Sequence, residues 1–256
     1  MVLKIGLEVC VDSPAGLAAA VAGGASRIEL CSSLALSGVT PSLGFMHLAA
    51  RSGVPAYAMI RPHPGAYHYN ADDIAVMCAD LDAAKAAGLA GAVFGANLQD
   101  GRLDVDALRP LCDHGLKLGL GLTLHRAFDL TPDPAEALEA AIALGFERVL
   151  TSGGARTAPE GLDMIAALVR QSQGRISVMP GSGLTPSTLA TVMRTTGARE
   201  AHGSCGRKVV FQHLAPHLIT KSQTLGFTSA SDRETCAETV AQMVTILAEI
   251  ARERDV

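Results

Sequence analysis

The stretch AGGASRIEL (22–30) returns in altered form as AAGLAGAVF (86–94), LGFERVL (144–150) and TTGAREAH (195–202), a few tens of residues apart each time. Each phrase is a helix-stopping Gly, one or two linking residues and then an aliphatic or β-branched run, which is the join of a helix to a strand. Working outward from these joins, eight runs read as strands: KIGLEVC (4–10), RIELC (27–31), AYAMIR (56–61), GAVFGA (91–96), GLTLHRA (121–127), RVLTSG (148–153), ISVMPG (176–181) and EAHGS (200–204). Between them lie amphipathic stretches such as Ser13 to Gly23, Asp72 to Gly88 and Pro134 to Gly145, and Asp232 to Arg254 reads as the terminal helix. Strands separated by helices pair in parallel, because the crossover returns the chain to the same end of the sheet. Eight such units within 256 residues predict an α/β fold, one (β/α)8 TIM barrel filling 1–256, with 206–231 as a long loop after the eighth strand. An open doubly wound sheet would favour a G-x-G-x-x-G turn after the first strand, where Cys10-Val11-Asp12-Ser13-Pro14 stands instead.

Composition removes several function classes. The chain is 48% hydrophobic and 18% charged, enough apolar material for a buried core. Tryptophan is absent, aromatics make up 4% and the net charge is -4, which argues against a stacking platform or phosphate-binding surface for nucleic acid. No apolar run reaches the length of a spanning helix, and the first residues lack a signal-peptide pattern, so a cytoplasmic protein without a membrane partner is expected. The six cysteines contain no CxxC pair, so any two that act together must be brought together by the fold.

Alternation along the strands selects the interior side chains. Leu7 and Val9 share one face of the first strand and Ile28 and Leu30 one face of the second; these belong against the helices. Glu8, Cys10, Glu29 and Cys31 then point inward, joined by Met59, Arg61, Thr123, His125, His202 and Ser204 from later strands. Carboxylates, a guanidinium, imidazoles and thiols thus converge at the C-terminal mouth, where barrel enzymes keep their active sites. A buried carboxylate needs a partner, and Arg61 is the expected one for Glu8 and Glu29. Either these groups form an internal ion-pair network, or Glu8, Glu29, Arg61, His125 and His202 are catalytic.

Glycines suggest a second feature. Gly153 and Gly154 follow the sixth strand, and Gly181, Ser182 and Gly183 follow the seventh. Exposed N–H groups there would bind an anion, or the glycines serve tight turns only. The segment 62–69, with Tyr67 and Tyr69, is either a lid or a plain surface loop. Lysine is absent from inward strand ends, and GxSxG, HExxH and P-loop motifs are missing, which disfavours Schiff-base aldolases, serine hydrolases, zincins and P-loop NTPases.

Taken in order from about residue 5 to 205, LEVCVDS, RIELCSSLALSGVTPSLG, AMIRP, GAVFGA, LTLHRAFD, ERVLTSGGA, GRISVMPGSG and EAHGS resemble the signatures of the CutC family of copper homeostasis proteins. The resemblance implies a cytoplasmic barrel, a homo-oligomer such as a dimer or tetramer, with Cu(I) ascribed to the positions of Cys10 and Cys31. Two thiolates on neighbouring strands suit that soft ion, and buried cysteines also serve as plain packing. The chain departs from the family pattern at His63-Pro64-Gly65-Ala66 and at Gly181-Ser182-Gly183. Two functions follow: Cu(I) binding at Cys10 and Cys31, or an enzyme acting on a small phosphorylated or carboxylated metabolite.

Overall fold

A computed structural model describes residues 5–208, 215–227 and 233–254. Eight parallel strands form the barrel: β1 (Gly6–Val11), β2 (Arg27–Leu30), β3 (Ala56–Met59), β4 (Gly91–Phe94), β5 (Gly121–Leu124), β6 (Arg148–Thr151), β7 (Ser177–Pro180) and β8 (Glu200–Gly203). Their ladder runs β7-β6-β5-β4-β3-β2-β1-β8. No ladder joins β7 to β8 among the described residues, yet they lie side by side: a Cβ on Gly181 would meet His202 at 3.3 Å. The barrel is thereby nearly closed.

The helices are α1 (Pro14–Ala22), α2 (Leu43–Ala50), α3 (Ala71–Ala86), α4 (Val105–Lys117), α5 (Pro134–Ala143), α6 (Leu162–Ser172) and α7 (Leu189–Thr196). Their starts are chemically marked. Ser13, Asp104 and Asp133 accept hydrogen bonds from the first-turn N–H groups of α1, α4 and α5, and Asn70 with Asp73 makes a capping box on α3. One face of each strand packs on this helix layer, with Leu7, Val9, Ile28 and Leu30 buried there as expected.

The segment after β8 differs from the long loop expected over 206–231. Gly206–Lys208 (β9) pairs antiparallel with Arg233–Thr235 (β10), and Pro216–Thr224 forms a helix, α8. Asp232, the expected start of the terminal helix, lies outside the described residues; that helix, α9, runs over Ala237–Arg254 and buries Val240, Met243, Leu247 and Ile250.

The N-terminal half of the interior is a polar plug. Tyr57 lies between the guanidinium groups of Arg27 and Arg148, 5.4 and 5.1 Å from its ring centroid, and donates to Glu147 at 2.6 Å. Gly91 and Gly121 on the next two strands make room for that ring: a Cβ on either would collide with it. Gly91→Ala is therefore expected to cost about 1–3 kcal/mol by overpacking, read as a lowered Tm in thermal unfolding.

Candidate metal centre

Register decides which interior groups meet. Glu8 pairs in register with Arg27 on one side and His202 on the other, while Cys10 pairs with Glu29. Arg27, at the start of β2, therefore faces Glu8 and donates to it through Nε; its Nη1 reaches Glu200 at 2.6 Å. Arg61, the expected partner of Glu8 and Glu29, pairs with neither. It lies beyond the end of β3, and its guanidinium turns to the carbonyl oxygens of Leu36, Gly38 and Gly65.

Above the plug, the Cys10 thiol, a Glu29 carboxylate oxygen and a His202 ring nitrogen lie within 4.8 Å of one another, all buried. His202 Nδ1 is 2.8 Å from Glu8 Oε1, and its Nε2 is 3.8 Å from Glu29 Oε2. Burial opposes charge on Glu8, but Arg27 and His202 overcome it and hold the carboxyl down at about 2. The ionised Glu8 thus accepts Nδ1–H and leaves Nε2 facing Cys10 and Glu29. Burial also opposes charge on His202, and Glu29, Cys10 and Glu8 around it outweigh that, so its pKa rises well above the ordinary value. Without a metal the ring is an imidazolium between two glutamates; a cation would take the place of the Nε2 proton.

Cys31 is not the register partner of Cys10, since Glu29 is. It sits one pleat further along β2, where its thiol donates to Glu29 Oε2 at 3.6 Å and packs with Tyr57, Met59 and Val93. Burial and the Glu29 charge push the Cys31 thiol well above its usual range. Cys10 and Cys31 are thus not register partners, and the three donor atoms that lie within 4.8 Å of one another are those of Cys10, Glu29 and His202. Glu29 Oε1 has no hydrogen-bond partner, an unsatisfied buried acceptor in keeping with a cation site.

These groups open into a cavity of about 550 Å³ at the C-terminal mouth, whose wall includes Cys10, Glu29, His202, His125, Ser182 and Gly183. His125 is buried over Gly95, and its Nδ1 accepts from the Ala127 N–H at 3.1 Å, so the proton resides on Nε2. Burial, then the Arg61 charge, lowers its pKa to about 3. A neutral ring with a committed Nδ1 is a hydrogen-bond donor at neutral pH rather than a base. Between about pH 6.5 and 3 the unfolded chain holds one proton more at this residue, so acidification destabilises the fold by about 1.4 kcal/mol per unit. Urea unfolding of His125→Phe is expected to show a shallower loss between pH 6.5 and 5, and NMR should find His125 neutral from pH 8 to 5.

The glycines expected to hold an anion divide in two. Gly154 N–H donates to Asp129 at 3.1 Å and Gly153 N–H to Thr151 Oγ1 at 2.8 Å, so the loop after β6 is engaged by the protein's own groups. Asp129 also accepts from Arg126, Thr151 and Ser152, a role with no periodic signal in the sequence. After β7, Gly181 N–H is bound to Thr151 O, whereas Ser182 and Gly183 border the cavity with left-handed backbone, φ 71° and 72°. The 62–69 segment packs over the mouth: Tyr67 O accepts from Asn97 N–H at 2.8 Å, and its ring lies 4.5 Å from that of His125.

The family model that matches this sequence is that of the CutC family, over residues 5–207. The chain belongs to the CutC family. Family proteins CutC of Rhizobium meliloti and Sinorhizobium medicae are 52% and 50% identical over 240 and 248 residues, covering 94% and 97% of this chain and 95% and 98% of theirs. The crystal structure of a Streptococcus agalactiae CutC, titled for copper homeostasis, superposes with a TM-score of 0.74 at 31% identity, over 78% of this chain and 99% of that one. More distant barrels, such as a thiamine phosphate pyrophosphorylase of Pyrococcus furiosus at 14% identity and a TM-score of 0.59, share the fold alone. Family membership thus agrees with the barrel.

Proposed function

We propose that this CutC-family chain binds copper, as Cu(I) cargo, at the mouth of its barrel. Cys10 and His202 hold the ion and Glu29 completes the set. The observation that carries the reading is the buried Cys10, Glu29 and His202 cluster, with Glu8 fixing the His202 ring from behind. A thiolate and an imidazole both suit copper, and a carboxylate bonded to the far ring nitrogen is the usual support of a metal-binding histidine. Cys31, expected as the second thiolate, instead orients Glu29 through its hydrogen bond.

The test is Cu(I) stoichiometry under reducing conditions. One ion per chain is expected for the wild type and for Cys31→Ser, and loss of binding for Cys10→Ser. Equal, weak binding by all three overturns the proposal, and loss in both Cys10→Ser and Cys31→Ser restores the two-cysteine site. The same reading includes a cytoplasmic location and assembly as a homodimer or tetramer, which light scattering of the purified protein tests. No helix among the described residues is long and apolar enough to cross a membrane.

A further inference from the structure

The β3 side of the mouth carries an uncompensated positive charge, on Arg61 just beyond the end of that strand. Arg61 is 3% exposed, yet its guanidinium bonds only to neutral backbone carbonyls, at 2.8 to 2.9 Å. Its Nε has no partner, and it makes no ion pair among the described residues. A buried charge of this kind is retained at high cost unless a counter-ion reaches it. Of the interior acidic groups, Glu8 and Glu200 are engaged by Arg27 and Asp129 by Arg126, and Glu29 faces His202 rather than Arg61.

Arg61 communicates with the cavity through one aromatic ring. Its guanidinium carbon lies 5.0 Å from the centroid of Tyr67, whose other neighbour is the His125 ring at 4.5 Å. His125 Nε2, buried and bearing the proton, is also without a partner. Among the unpartnered buried atoms here, Arg61 Nε and His125 Nε2 are donors beside a positive charge, with the Tyr69 hydroxyl and Asn97 Oδ1 in the same region, and the cavity of about 550 Å³ is of the size that takes a small metabolite. Donors select an acceptor, and the unpaired charge selects an anion.

We propose that the mouth cavity binds the oxyanion of a small metabolite, a carboxylate or a phosphate, which accepts from His125 Nε2–H and serves as the counter-charge of Arg61. Ser182 and Gly183 border the same space. The lowered pKa of His125 agrees with this arrangement, since the ring stays a neutral donor whose tautomer Ala127 fixes. This site does not depend on the metal reading, because neither Arg61 nor His125 belongs to the Cys10, Glu29 and His202 cluster.

The experiment is isothermal titration of the full chain, stripped of metal by a chelator, with pyruvate and separately with inorganic phosphate. At least one is expected to bind. His125→Phe should weaken that binding about tenfold or more, as the loss of a hydrogen bond to a charged group does. His125→Gln, which keeps an N–H donor, should recover most of it. In the wild type, saturation should shift the His125 Nε2–H resonance, a readout that needs no variant. The anion that binds assigns the source, carboxylate or phosphate. If neither anion moves that resonance, or both bind His125→Phe as well as wild type, the proposal is overturned.

Discussion

Arg27→Met is expected to destabilise the barrel by about 3–5 kcal/mol, the cost of removing one partner from a buried ion pair. Arg27 ties Glu8 to Glu200 across the barrel interior, and both carboxylates are largely or wholly withdrawn from water. In the variant, Glu8 keeps only His202 as a charged partner, and Glu200 keeps only Arg148, at 3.2 Å. The ring of Tyr57 loses one of the two cations that lie against it. Methionine fills much of the volume, so the loss reports charge rather than a cavity. Urea unfolding followed by circular dichroism checks it. Arg175→Met, which breaks the exposed pair with Glu139, is the control and should change little. Equal effects of the two substitutions would mean that the interior pair carries no special weight.

The barrel was legible because two independent signals coincide at each unit: a glycine that ends a helix and a short run whose alternate residues are apolar. All eight expected strands form, each within a residue or two of its expected range at most ends. The same alternation found Glu8, Glu29, His125 and His202, all of them buried in the interior. Carried one step toward the strand starts, it also marks Arg27, Tyr57, Arg148 and Glu200, which make up the plug. What alternation does not carry is partnership across the barrel. Tilt and stagger decide which inward residues share a level, and they set Cys10 beside Glu29 rather than Cys31. Arg61 stands beyond the last ladder residue of β3, where the chain is already leaving the sheet, and so bonds to loops. Asp129 sits on a short 3-10 turn with no period to reveal it. Helix α8 did leave a trace, Pro216 at its first position, which a search for helix starts beyond β8 would have found.

Glu8→Gln is expected to lower the metal affinity of the mouth about 10- to 100-fold although Glu8 touches no metal-facing atom. In the native arrangement one carboxylate oxygen accepts from Arg27 Nε and the other lies 2.8 Å from His202 Nδ1. A glutamine has one oxygen for these two donors. Arg27 can only donate, so the amide oxygen is drawn to it and the NH₂ group faces His202. The ring then accepts at Nδ1 and carries its proton on Nε2, the nitrogen that faces Cys10 and Glu29. The wild-type imidazolium frees Nε2 by shedding one proton while Nδ1–H stays on Glu8; in the variant the remaining proton must also move to Nδ1 and the new hydrogen bond must break. Competition titration against a chromogenic Cu(I) chelator measures the loss, and the ¹⁵N shifts of His202 report the change of tautomer. Glu8→Asp, which keeps the charge but shortens the reach, should retain the tautomer and fall between the two. If Glu8→Gln bound Cu(I) as tightly as the wild type while its tautomer changed, His202 would be removed from the ligand set and Cys10 and Glu29 would be left to hold the ion.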